Sequence, residues 1–74
     1  MSTEAEDRTD KLTKLEELFH EGDMEAVIPQ AAKLIEEYKS ATAYNVMALA
    51  YKKLGYYLQA LKIYEGLLID NPDN

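Results

Sequence analysis

Between Ala41 and Asn74 the spacing of apolar and small residues leaves little choice but two helices folded back on each other. Tyr44, Met47, Ala48 and Tyr51 recur at intervals of three and four residues, which is one face of a helix. Ala60, Leu61, Tyr64, Leu67 and Leu68 do the same in a second segment. Between them Gly55 follows Lys52 and Lys53. Cations in the last turn, with glycine just past it, are what a helix C-terminus favours. Ala48 and Ala60 matter for what they lack. Small side chains at facing positions let antiparallel helices approach closely, and tyrosine rings fill the space to either side. The segment reads as a helical hairpin.

The upstream half carries a second, less regular version. Residues Met1–Thr9 are polar and acidic without apolar periodicity and read as a disordered acidic tail. Asp10 is the expected N-cap of a helix over Asp10–Glu21, with Leu12, Leu15, Leu18 and Phe19 on one face and Gly22 ending it. Asp23 is the expected cap of a helix over Met24–Tyr38, whose buried stripe is Met24, Val27, Ile28, Ala31, Leu34, Ile35 and Tyr38. Pro29 cannot donate to the carbonyl of Glu25, which predicts a kink or a loosened turn near Glu25–Ile28. The alternative is a helix starting afresh at Pro29, since proline suits the first helical position. Ser40 is the expected cap of a third helix over Ala41–Leu54, and a fourth covers Tyr57–Ile69. One constant shift brings Leu15 onto Ala48, Leu18 onto Tyr51, Gly22 onto Gly55, Val27 onto Ala60 and Leu34 onto Leu67. Dropping one residue from the turn gives a competing register for the first helix. The expected fold is all-α: one domain over residues 10–74, made of two tandem antiparallel hairpins at about 10–40 and 41–74.

The second hairpin, over its whole length, resembles a tetratricopeptide repeat. Tyr44, Met47, Ala48, Tyr51, Gly55, Tyr57, Ala60, Tyr64 and Pro72 fall at that family's signature spacings, while Leu67 stands where a small Ala is usual. Residues from about 8 to 40 resemble a degenerate copy. The resemblance implies an α-solenoid fragment whose concave face is lined by the first helix of each hairpin and binds a peptide or protein segment. The side chains it assigns to that face are Thr42, Asn45, Val46, Leu49 and Lys53, joined by Glu16 and Phe19 with His20 alongside. One subgroup of the family clamps acidic chaperone C-termini over three repeats. This chain departs from it: a third repeat is missing, Asn45 is one place off, and Glu16 would repel a carboxylate.

Composition narrows the partner. The net charge of −6 is confined to the first half: residues 1–10 set one Arg against four acids and residues 11–40 four Lys against seven, while residues 41–74 balance three and three. Such a chain repels phosphate backbones and anionic lipid surfaces, so neither nucleic acid nor membrane is an expected partner. Cysteine is absent, the opening residues lack the basic and apolar runs of a secretory signal, and cytoplasm is the expected location. His20 with Glu16 falls short of a metal-ligand set, and no arrangement suggests catalysis. No metal, cofactor or enzymatic role is expected.

The last helix adds an alternative. Leu58, Ile63 and Ile69 are apolar where the family tolerates polar residues, and Gly66 sits mid-helix at a cost of about 1 kcal/mol relative to Ala. A homodimer through Leu58, Leu61, Ile63, Gly66 and Leu68 would account for them. A fragment of a longer repeat array would equally leave this helix uncovered.

Overall fold

A computed structural model describes residues 3–72. The fold is all-α, two helical hairpins in tandem: α1 (Thr3–Glu21), α2 (Met24–Tyr38), α3 (Ala41–Lys53) and α4 (Tyr57–Asp70). Among the described residues no helix is long and apolar enough to cross a membrane.

The start of α1 corrects the sequence reading. Thr3–Thr9, expected as part of a disordered tail, are helical, and Asp10 lies inside the helix instead of capping it. Met1 and Ser2 lie outside the described residues. The reason is charge pairing at helical spacing. Lys11 Nζ lies 3.2 Å from Asp7 one turn earlier and donates to Glu37 of α2 at 3.4 Å. The Arg8 guanidinium and the Lys11 ammonium stand 5.6 and 5.9 Å from the centre of the Tyr38 ring. Pairs of this kind stabilise a helix modestly, and here they tie the early turns of α1 to the end of α2. Tyr38, which the periodicity gives no job beyond partial burial, is the platform.

The remaining boundaries follow the caps. Asp23 accepts from the Ala26 N–H at 3.2 Å and Ser40 from the Ala43 N–H at 3.2 Å. Helix α2 runs unbroken through an exposed Pro29, so it does not begin afresh there. Leu54 is the C-cap of α3 and not its last residue, and α4 extends one residue further than expected, to Asp70.

The two hairpins match in the register that sets Gly22 on Gly55 and Leu15 on Ala48, with no residue dropped from the turn. At the first turn the Gly22 N–H donates to Phe19 and the Asp23 N–H to Leu18; at the second, Gly55 donates to Lys52 and Tyr56 to Tyr51. Both are Schellman closures, in which the residue past the helix must adopt positive φ. Gly22 and Gly55 do so at 85° and 86°. Inside the hairpins, Leu15 and Ala48 are fully buried, as are Val27 and, to within 2 %, Ala60. The correspondence extends to the open ends. Lys11 donating to Glu37 has its counterpart, at the equivalent positions of the second hairpin, in the Tyr44 hydroxyl donating to Asp70. Each hairpin is thus turned by a glycine at one end and clasped by a polar bond at the other.

Around the second clasp lies the explanation of Gly66. A Cβ built there would stand 3.3 Å from Cε1 of Tyr44, so the glycine makes room for this chain's own ring. It needs no second copy to justify it. Asp70 also lies 3.6 Å from Lys39 Nζ, and Lys39 itself takes the left-handed backbone, φ 50°, that ends α2. The bond to Asp70, followed by burial, holds the Tyr44 hydroxyl pKa above its ordinary value near 10.

The main core is formed by Leu15 of α1, Met24, Val27, Ala31 and Leu34 of α2, and Ala43, Val46 and Ala50 of α3, with Leu12, Leu18, Phe19, Ile28, Ile35, Tyr38 and Met47 packed against it. Helix α4 contributes only Ala60 to the fully buried set. Leu61 and Leu68, which share the α4 periodicity with Ala60, are more than half exposed. Tyr51 and Tyr64 are half-buried, and Tyr57 points outward.

The second clasp can be titrated. A hydroxyl whose folded pKa is raised contributes stability that is complete below the unfolded value and is lost as pH climbs through the folded one. Tyr44→Phe should therefore cost about 1–2 kcal/mol at neutral pH, and the gap from the parent protein should close above pH 10 in denaturant titrations. For Gly66, replacement by Ala removes an intrinsic penalty of about 1 kcal/mol but crowds the ring. Gly66→Ala should stabilise the Tyr44→Ala background by about that amount and the parent protein by clearly less; equal gains in both would deny the contact.

Candidate functional site

The side chains expected to line a binding face come from α3 and α1, which are in contact with each other. Helix α3 is fixed by α2 and α4, so the surface left to it is narrow. Thr42, Asn45, Leu49 and Lys53 recur at three and four residues and form a single exposed row. Asn45 makes no side-chain hydrogen bond among the described residues, which leaves its amide free to donate and accept. Leu49 keeps 38 % of its surface exposed.

Val46 does not belong to this row. It is 9 % exposed and packs in the core cluster with Leu15 and Val27. Its position one residue past Asn45 turns it by about 100° from the row, toward α1 and α2. It is the floor under the surface and not a contact residue.

On α1, Glu16 is exposed and Phe19 half-buried. The structure brings Phe19 together with Lys53: the ammonium stands 5.6 Å over the ring. The neighbouring His20 ring meets Phe19 edge-on at 6.0 Å between centroids. Phe19 and Lys53 both lie in the last turns of their helices, so α1 and α3 meet at their C-terminal ends. The result is a shallow face with a free amide and an exposed leucine on one wall, a carboxylate on the other, and an aromatic–cation pair at the end. It offers hydrogen bonding and apolar contact along an extended line. Among the described residues no group of three His, Asp or Glu stands together that could hold a metal ion.

A second surface escaped the sequence reading. Gly55, Tyr56, Tyr57, Leu58 and Gln59 border an open depression of about 410 Å³ at the α3–α4 turn, where the Tyr51 and Tyr56 rings meet edge-on at 6.3 Å. The signal was present in Tyr56, an aromatic beside a glycine turn with no place in the hairpin core. Of the side chains assigned to self-association, Leu58, Leu61 and Leu68 are exposed, whereas Ile63 is half-buried on the inner side and Gly66 lies under Tyr44.

The Phe19–Lys53 contact should be measurable. A double-mutant cycle with Phe19→Leu and Lys53→Met, followed by thermal unfolding, should return a coupling of about 0.5–1 kcal/mol. A coupling of zero would separate the two helix ends. Neither a protein-family model, nor a curated protein, nor a solved structure matches this chain, so its function is read from these surfaces alone.

Proposed function

We propose that this chain is a helical-repeat interaction module of the tetratricopeptide type, which holds an extended peptide or protein segment along the face shared by α1 and α3. The observation that carries the reading is the exposed row Thr42, Asn45, Leu49 and Lys53, whose last member meets Phe19 of α1. A free amide suits the backbone of an extended partner, and Leu49 with Phe19 suits an apolar side chain, the two demands of segment recognition. With Glu16 on one wall and Lys53 on the other, the partner's charges should be mixed. The surplus of acid in residues 1–40 argues against a nucleic acid. Shallow exposed walls favour binding over catalysis. The outward apolar side chains of α4 favour a second reading, assembly of the chain with itself.

Peptides selected against the parent protein from a random display library test the groove. They should lose at least about tenfold in affinity on the Asn45→Ala/Leu49→Glu variant, with helicity by circular dichroism unchanged. Peptides that bind both proteins equally would place recognition elsewhere on the molecule.

A further inference from the structure

We propose that the outer face of α4 pairs with the same face of a second copy, antiparallel and about a two-fold axis level with the peptide bond between Ile63 and Tyr64. This surface is separate from the α1–α3 groove and does not depend on it. The face is defined by burial. Ala60, Ile63, Tyr64 and Leu67 turn inward, while Leu58 and Ile69 are 77 % and 78 % exposed and Leu61 and Leu68 57 % and 58 %. At about 100° per residue, these four side chains with Lys62 and Glu65 fall within an arc of about 120°. One continuous stripe therefore runs the length of the helix, mostly apolar and open to water.

What identifies the occupant is the order of residues in the stripe. Leu58 and Ile69 are equally far from the point between Ile63 and Tyr64, and so are Lys62 and Glu65. A two-fold axis at that point sets Lys62 against Glu65 of the second copy, twice over, and Leu58 against its Ile69. Leu61 then falls beside Leu68 of the second copy along one flank. Within the chain neither Lys62 nor Glu65 has an ion-pair partner among the described residues. An isologous contact requires such self-complementarity, and opposite charges meeting across it fix register. The long-range field agrees. All of the net −6 lies in residues 1–40, and the half that would meet its copy is neutral, so the acidic halves stay apart beyond the screening length. Helix α4 has 14 residues, about 21 Å of length. At about one helix diameter of 10 Å in width, such a strip covers about 200 Å², below the about 800 Å² per partner of a standard interface, so the dimer is a weak one that forms in the micromolar range and above.

Charge reversal tests pairing and register together, because both residues are exposed and the fold does not use them. The full chain should dimerise with rising concentration in sedimentation equilibrium. Lys62→Glu alone and Glu65→Lys alone should each weaken self-association by about tenfold or more, since like charges then meet twice. An equimolar mixture of these two variants should form a heterodimer, and Lys62→Glu/Glu65→Lys should dimerise as the parent does. A parent chain that stays monomeric up to about 1 mM, the weak end of specific association, overturns the proposal and gives the face to another occupant. So does a set of variants that all associate alike, since no such register would then exist.

Discussion

Helix α3 is packed on three sides, and that condition governs the rest of the molecule. A helix flanked by α1, α2 and α4 can approach all of them only if it is thin around much of its circumference. Ala43 and Ala50, two turns apart, are fully buried on the side facing the first hairpin, and Ala48 is fully buried on another face. Small residues let backbones close to short interaxial distances, but they leave little bulk to fill the spaces between. Leu15, Val27 and Leu34 supply that bulk on the first-hairpin side, and Val46 reaches toward them. On the other side Tyr44 is the main filler, and Gly66 is the concession α4 makes to its ring. The candidate binding face follows from this arrangement, being the exposed row Thr42, Asn45, Leu49 and Lys53 that no neighbouring helix covers.

The imbalance between the two sides explains why α4 differs from the other helices. The first hairpin has leucine, valine and methionine facing inward from α2, whereas the fully buried surface of α4 reduces to Ala60. A chain of 74 residues has too little interior to bury every apolar side chain it carries. Half of the exposed large apolar side chains, Leu58, Leu61, Leu68 and Ile69, share the outer face of α4, and the others are Leu49 and the group Leu54, Tyr56 and Tyr57 about the α3–α4 turn; such clustering on one helix is a mark of an interaction surface.

Much of this is legible in the sequence. The hairpins, the glycine turns and two of the caps follow from three-and-four spacing and from the chemistry of Asp23, Ser40, Gly22 and Gly55, all local properties. Failures came where a distant residue decided the outcome. The early turns of α1 look like a tail by composition, and only Glu37 and Tyr38, at the far end of the next helix, make helix worthwhile there. Val46 is one residue from the exposed row, and periodicity alone could not say whether α1 would cover it. Gly66 reads in the sequence as part of a contact with a second copy, whereas its neighbour is the ring of this chain's own Tyr44. In each case the period was right and the identity of the facing group was missing.

The two clasps occupy equivalent places in the hairpins but are made of different chemistry. Lys11 with Glu37 is an exposed ion pair, while Tyr44 with Asp70 is a neutral donor on a carboxylate with its ring buried. Mobile ions shorten the reach of the first, with a screening length that falls from about 8 Å at physiological ionic strength to about 3 Å at 1 M, and they have little to act on in the second. Concentrated salt therefore weakens the first clasp more than the second, where it reaches the Lys39–Asp70 ion pair beside the tyrosine bond but not the bond itself. The two hairpins share one core, yet their open ends answer to different conditions, the acidic one to ionic strength at its Lys–Glu pair and the other to a pH high enough to ionise Tyr44.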